Sequence, residues 1–266
     1  MNFEPRSGVS ASIVIYKTEV KEIEALIADM LRQGVAKVYV IDNGPTKLNA
    51  RRRLIPSVEY EYISTGENLG YGRAHNIAIG LAVDRFRYHL ICNPDIKLSA
   101  GVVDRLVRYM DSHEDVGLCM PSLRGVDGEL QYCCRRSPIA WDYISQLISP
   151  GFLGRHRAMR LEMRDCDYQL EMDVQCLSGC FMFFRAAILK ALKGFDEQFF
   201  LYFEDFDLSN RAQKLSRNIY IPDISVTHER QSAHRRSWRL RLVFAISAIR
   251  YFKKWGAFGW GLNRPN

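Results

Sequence analysis

Three short clusters in this 266-residue chain combine residue types that do chemistry. Asn93-Pro94-Asp95 follows the apolar run Tyr88-His89-Leu90-Ile91-Cys92. A carboxylate at the end of a buried strand can hold a hard divalent ion, with few protein ligands and phosphate oxygens completing its shell. The tripeptide by itself is equally an ordinary type I turn, with proline at the second position and the aspartate in solvent. The stretch Glu67-Asn68-Leu69-Gly70-Tyr71-Gly72-Arg73-Ala74-His75-Asn76 has two glycines that let a ligand approach the backbone, ahead of a helix N-terminus that favours anions. Arg73 adds a charge-assisted contact for phosphate. It is not a Walker loop, because no Gly-Lys-Ser/Thr follows, and His75 stands where Gly-x-Gly-x-x-Gly needs its third glycine. A flexible loop capped into a helix is the competing reading.

Phe203-Glu204-Asp205-Phe206-Asp207-Leu208 supplies carboxylates able to take a proton from an attacking hydroxyl. Adjacent acids also raise each other's pKa toward neutrality. Acids in a first helical turn complement the helix dipole, and that is the reading for Asp207. Glu204 and Asp205 read as functional, because the aromatic run Phe199-Phe200-Leu201-Tyr202-Phe203 suggests a packed floor beneath them. His228, ending Ile224-Ser225-Val226-Thr227-His228, is a candidate metal ligand or phosphate contact, with His234 the weaker choice; a lone histidine is more often structural.

The elements that position these clusters follow from hydrophobic periodicity. Ser12-Ile13-Val14-Ile15-Tyr16 reads as a buried strand, and Val20 to Leu31 as a helix with Ile23, Leu26, Ile27, Met30 and Leu31 on one face, stopped by Gly34. Lys37 to Ile41 is a second strand, running into the turn Asp42-Asn43-Gly44-Pro45. Val58 to Ile63 reads as a third strand, Gly72 to Val83 as a helix, Tyr88 to Cys92 as a strand, and Ser99 to Met110 as a helix with Ser99 as N-cap. Val116 to Met120 closes this half. Such alternation predicts an α/β fold with a mostly parallel sheet covered on both faces, which binds ligands beyond the carboxyl ends of its strands. Both Asp42-Asn43 and Asn93-Pro94-Asp95 fall at those ends. Beyond residue 120 the chain reads as a basic helix and loop over Arg135 to Arg164, a strand-rich stretch over Met172 to Arg185 broken at Ser178-Gly179, and a helix over Phe206 to Leu215.

The formal charge of +7 and pI near 9.0 favour anionic partners. Basic residues concentrate at the end: Arg230, Arg235, Arg236, Arg239, Arg241, Arg250, Lys253 and Lys254 interleave with Trp238, Phe244, Tyr251, Phe252, Trp255, Phe258 and Trp260. A basic amphipathic helix over Ser237 to Trp255 predicts peripheral contact with an anionic membrane; packing on the domain with a solvated basic face is the alternative. Nucleic acid is not expected, since no reading motif accompanies the charge. The seven cysteines form no Cys-x-x-Cys pair, and Met1 to Ser10 lacks an apolar leader core, so reduced thiols in the cytoplasm are expected.

In order and type these elements resemble the family 2 glycosyltransferases of the GT-A fold, in the rhamnosyltransferase-like branch that builds bacterial surface polysaccharide. The resemblance runs through Ile13 to Tyr16, Asp42-Asn43, Glu67 to Gly72 with Asn76, Asn93-Pro94-Asp95, Ser178 to Met182, Gly194-Phe195-Asp196-Glu197, Phe203 to Leu208 and His228. It implies a Rossmann-like, mixed but mostly parallel central sheet flanked by helices. Residues 1–120 would form the nucleotide-sugar half, 121–228 the acceptor and catalytic half, and 229–266 a basic helical tail. The implied chemistry is inverting sugar transfer, with rhamnose from a dTDP donor the best match, to a saccharide or polyprenyl-pyrophosphate-linked acceptor at the inner face of the plasma membrane. Asp42 and Asn43 would recognise the donor's base or ribose. Asn68 and the Gly70-Tyr71-Gly72-Arg73 loop would line the nucleotide, with Asn76 supporting them. Asp95 and His228 would bind Mg²⁺ or Mn²⁺, and Asp205 would be the base with Glu204 beside it. Ser178, Gly179 and Cys180 would face the acceptor. Asn93 replaces the first acid of the commoner Asp-x-Asp element; its amide oxygen is a weaker ligand for a hard cation, so it is expected as a donor-side helper. Another nucleotide-sugar or nucleotidyl enzyme, or a catalytically silent membrane scaffold, are the competing functions.

Overall fold

The computed structural model describes residues 8–16, 18, 20–45, 60–148, 152–229 and 238–257. In chain order the first half contains β1 (Val9–Ile15), α1 (Val20–Arg32), β2 (Val35–Asp42), β3 (Tyr60–Ser64), α2 (Tyr71–Ala82), β4 (Tyr88–Cys92), β5 (Ile96–Leu98), α3 (Val102–Ser112) and β6 (Val116–Arg124). The second half contains β7 (Cys134–Arg135), α4 (Ala140–Ile148), α5 (Phe152–Leu161), β8 (Met172–Asp173), β9 (Cys176–Leu177), β10 (Phe181–Arg185), α6 (Ala186–Leu192), α7 (Glu204–Ala212), β11 (Arg217–His228) and α8 (Trp238–Trp255).

One mixed sheet in the order β3-β2-β1-β4-β10-β6-β11-β5 carries the molecule, with β8 on β11 and a separate β7-β9 ribbon. Strands β3, β2, β1 and β4 run parallel, as do β6 and β11. Alternation along β1 explains the two-sided cover. Val9, Ala11, Ile13 and Ile15 join the main core with Ile23, Ile27 and Met30 of α1, while Ser10 and Ser12 face α2. There a fully buried chain runs from Ser10 Oγ to His89 Nδ1 (2.8 Å), from His89 Nε2 to Ser12 Oγ (2.9 Å), and on to His75 Nδ1 (2.8 Å). Burial keeps both imidazoles neutral, pushing His89 down to about 3.

Two pairings set the geometry of the site. β10 enters antiparallel between β4 and β6, with Phe181 opposite Cys92. The residues just before β10 therefore sit at the carboxyl end of β4, where Asn93 N–H donates to the Cys180 carbonyl at 2.9 Å. The end of β11 pairs antiparallel with β5, His228 opposite Ile96, and Glu229 N–H donates to the Asp95 carbonyl at 2.8 Å. His228 is thereby brought beside Asp95.

One expectation from the sequence needs correcting. Helix α3 begins at Val102 behind Gly101, which has φ 75°, and Ser99 is not its cap. Ile96–Leu98 extends as a strand on β11, so the chain must turn through Ser99–Gly101 before it can coil. The start of the third strand near Val58 lies outside the described residues, as do Arg230, His234, Arg235, Arg236, Phe258 and Trp260. No helix among the described residues is long and apolar enough to cross a membrane.

Candidate active site

A cavity of about 630 Å³ opens at the carboxyl ends of β1, β2 and β4, and its wall includes Asn43, Asn68, Gly70, Asn93, Asp95 and His228. Asn43 sits directly beyond β2 and holds the glycine loop in place. Its Nδ2 donates to Asn68 Oδ1 (2.9 Å) and to the Gly70 carbonyl (3.0 Å), while its Oδ1 accepts from Leu69 N–H (2.8 Å). Gly70 has φ 84°, and a Cβ there would lie 2.2 Å from the Phe200 carbonyl oxygen. That residue must therefore be glycine to let the loop reach the 199–203 segment, where Tyr71 N–H donates to the same carbonyl at 2.9 Å.

Four of the expected donor residues lie off the cavity wall. Asp42 is fully buried, accepting from Gly44 N–H (2.9 Å) and from the Tyr62 hydroxyl. Gly72 packs against Phe195, Arg73 pairs with Glu197 at 3.4 Å, and Asn76 exchanges two bonds with the Phe195 backbone (2.8 and 2.9 Å). This face of α2 thus holds the Gly194–Glu197 turn.

Asp95 and His228 converge on the cavity, with Asp95 Oδ1 3.4 Å from His228 Nε2. That oxygen is buried and has no hydrogen-bond partner, an arrangement that costs energy unless a cation or proton joins the two groups. A carboxylate and an imidazole suit Mg²⁺ or, better, Mn²⁺. Among the described residues no cluster of three or more His, Cys, Asp or Glu could hold a metal. The pair fits an ion whose remaining ligands come from a bound phosphate group and water.

The second chemical centre is the start of α7. Tyr202 and Phe203, immediately before it, both take left-handed backbone conformations (φ 70° and 68°), at a cost of ~1–3 kcal/mol each for bulky residues. Aromatic packing holds them there: Phe203 meets Tyr143, Phe206, Phe244 and Tyr251 with ring centroids 5.2–5.6 Å apart. The reversal turns Asp205 toward the 178–180 loop, where its Oδ2 accepts from Gly179 N–H (3.1 Å) and its Oδ1 from Phe206 N–H (2.9 Å). Tyr71, expected only as part of the nucleotide-lining loop, lies in the cavity wall and also donates its hydroxyl to the Gly179 carbonyl oxygen at 2.6 Å. Its ring stands edge-on to His75 at 4.5 Å, linking the loop to the buried histidine chain.

The two acids differ in environment. Glu204 is 6% exposed and its Oε2 has no hydrogen-bond partner. Burial, reinforced by the charge of Asp205, pushes it well above the usual carboxylate range. Asp205 is only half-buried. Burial raises it too, but the Gly179 and Phe206 N–H groups oppose the rise. Burial thus favours the protonated form of both, and only Asp205 has two N–H donors that offset this by stabilising its charge. Of the three residues expected to face an acceptor, Ser178 is half-buried, whereas Gly179 and Cys180 are buried and bridge Asp205 to Asn93.

Helix α8 braces this centre from outside. Tyr251 and Trp255 pack on Phe199 and Phe203, Asn210 Nδ2 donates to Tyr251 Oη (2.7 Å), and Ser247 Oγ donates to the carbonyl of Leu201, a cavity-wall residue (2.8 Å). Packing on the domain and an apolar outer surface coexist, because Trp238, Leu242, Ile246 and Ile249 remain 40–68% exposed.

Residues 49–244 match the family model described as "Glycosyltransferase like family 2". An N-acetylglucosaminyl-diphospho-decaprenol L-rhamnosyltransferase of Mycobacterium tuberculosis is 28% identical over 209 residues, covering 73% of this chain and 66% of its own length. The rhamnosyltransferase WbbL of Escherichia coli K12 is 25% identical over 201 residues, covering 71% of this chain and 73% of that protein. Among solved structures, GalNAc-T7 with UDP, GalNAc and Mn²⁺ superposes with a TM-score of 0.67 at 12% identity, covering 95% of this chain and 48% of that one, a likeness of fold alone. The chain spans 66% of the length of the mycobacterial relative it matches.

Proposed function

The chain belongs to the glycosyltransferase-like family 2, and on that premise we propose that it is an inverting glycosyltransferase moving rhamnose from dTDP-rhamnose to a polyprenyl-pyrophosphate-linked saccharide. The observation that carries the proposal is the antiparallel entry of β10, which ties the Asp205 loop to the Asn93-Pro94-Asp95 turn through the Cys180–Asn93 bond. The rhamnosyl donor and lipid-linked acceptor draw support from the names of the two relatives.

In this reading residues 1–120 hold the donor and 121–228 the acceptor and the base. The nucleotide lies in the cavity over Asn43, Asn68 and Gly70, with Asp42, Arg73, Gly72 and Asn76 keeping that wall in shape from behind. Asp95 and His228 hold Mg²⁺ or Mn²⁺, with Asn93 alongside. Such an ion neutralises the charge that builds on a departing diphosphate. Asp205 takes the proton from the acceptor hydroxyl as its oxygen attacks the anomeric carbon from the face opposite the diphosphate, which inverts that centre. Ser178 meets the acceptor sugar, and Glu204 stays neutral. The full chain, given dTDP-rhamnose, Mn²⁺ and N-acetylglucosaminyl-diphospho-polyprenol, should release dTDP and form a rhamnoside of inverted configuration, read by NMR. Failure to turn over any nucleotide-sugar under these conditions would sink the proposal.

The tail, residues 229–266, places this chemistry at an anionic cytoplasmic membrane surface. Outward-facing Trp238, Leu242, Ile246 and Ile249 recur at helical spacing on α8, which also carries Arg239, Arg241, Arg250 and Lys253. The full chain should float with phosphatidylglycerol vesicles. Leu242→Asp with Ile249→Asp should abolish flotation while sparing transfer to a short-chain soluble acceptor; unchanged flotation rules the stripe out.

A further inference from the structure

His228 is gripped twice by one side chain. Gln131 Nε2 donates to the His228 carbonyl at 2.9 Å, and Gln131 Oε1 lies 2.8 Å from His228 Nδ1. The first bond orients the amide, because a carbonyl oxygen can only accept and must face the NH₂ end. Oε1 is therefore the acceptor offered to the ring, and Nδ1 carries the proton. In the neutral imidazole Nε2 then keeps its lone pair, and Nε2 is the atom 3.4 Å from Asp95 Oδ1. Gln131 is itself held in place, its N–H donating to the Leu123 carbonyl (2.8 Å) where the Gly125–Glu129 turn brings the chain back beside β6.

We propose that Gln131 is a positioning residue that fixes His228 as the Nδ1–H tautomer and aims Nε2, together with Asp95, at a divalent cation. This rests on reading Asp95 and His228 as metal ligands. Outer groups that orient a ligating histidine are commonly worth 10–100-fold in metal affinity. No motif pointed to Gln131, which lies between Leu130 and Tyr132 in a stretch with no periodic signal of its own.

The experiment has two readouts on the full chain. Long-range ¹H–¹⁵N spectra report imidazole tautomers without metal, His228 being assigned by its loss in His228→Gln. Titration with Mn²⁺ alone, followed by EPR, reports affinity. Gln131→Met should weaken Mn²⁺ binding by roughly 10-fold or more and move His228 toward the Nε2–H form. Gln131→Glu, which keeps an acceptor for Nδ1–H but loses the donor to the His228 carbonyl, should hold the Nδ1–H tautomer. A Gln131→Met chain with unchanged tautomer and affinity overturns the proposal, and so does a Gln131→Glu chain that loses the Nδ1–H form. Should Gln131→Met fail to fold, Gln131→Ala, which removes the same two contacts, is held to the same outcomes as Gln131→Met. If Asp95→Asn and His228→Gln bind Mn²⁺ like the parent, the metal reading fails instead, while the tautomer result still judges the clasp.

Discussion

Asp205→Asn should reduce transfer by ~10³-fold, within the range that a positioned general base contributes, whereas Glu204→Gln should stay within about threefold of the parent. Both substitutions exchange a carboxyl for an amide of the same shape; Asp205→Asn also gives up one of the two oxygens that accept from Gly179 and Phe206 N–H, so its melting temperature is measured beside its rate. Asp205 is half-buried and is tied through the Gly179–Cys180 segment to Asn93 in the cavity wall, and its proposed role requires it to accept a proton. Burial favours the neutral form of Glu204, so a neutral amide should change little. Initial rates of dTDP release, with donor binding measured separately, separate the two. Equal damage from both substitutions would show that the pair acts as one unit; full activity in Asp205→Asn would remove it as the base.

The same pair gives the pH dependence its sign. Asp205 must be ionised to act, and burial raises it above its ordinary value of 3.8, so the acid limb of the rate profile lies above that value and activity falls as pH drops through it. Glu204 affects stability in the other direction. Its folded-state pKa lies above the unfolded value of 4.5, so its carboxyl favours the fold below pH 4.5 and progressively less as pH rises toward the folded pKa. Glu204→Gln removes that loss. Thermal unfolding should show the variant gaining on the parent at pH 8 and not at pH 4.

What the sequence made legible was chiefly local. Strand ends at Asp42 and Cys92 were readable, because apolar β-branched runs stop at turn residues, and Asn43 and Asn93-Pro94-Asp95, which line the cavity, follow them directly. Contacts between distant segments were not. The antiparallel entry of β10 leaves no mark in its own pattern, since a buried central strand reads Phe181-Met182-Phe183-Phe184 in either direction. Gly70 read as a place for a phosphate to approach, but in the fold another backbone, that of Phe200, comes close. Gln131, and the tie from Tyr71 to Gly179, were invisible for a related reason: a hydroxyl or amide acquires meaning from the carbonyl it meets, and those carbonyls, of His228 and Gly179, come from elsewhere in the chain.

Asp207 is the sharpest such case, and its removal should have the largest effect on stability. The first-turn position suggested only a favourable charge near a helix N-terminus. In the fold it is fully buried and accepts from Arg211 Nε (2.8 Å), Lys254 Nζ (2.7 Å) and Trp255 Nε1 (2.9 Å). Two residues along a helix is a rotation of about 200°, so Asp205 faces the Gly179 loop while Asp207 faces α8. Asp207→Ala leaves Arg211, whose side chain is 17% exposed, with its guanidinium short of a counter-charge. Breaking a buried pair from one side costs ~3–5 kcal/mol, and at ~2–4 °C per kcal/mol for a chain of this size the melting temperature should drop by roughly 6–20 °C. In a Lys254→Gln chain Asp207 keeps Arg211 and Trp255 as donors, so that substitution should cost far less. Because Asp207 is one of the polar ties on α8, Asp207→Ala should also speed tryptic cleavage after Arg250 and Lys253. It should raise the donor KM as well, since Ser247 of α8 supports Leu201 in the cavity wall. A melting temperature within about 1 °C of the parent, with α8 still protected, would mean that the aromatic packing around Phe203 holds the helix and Asp207 merely accompanies it.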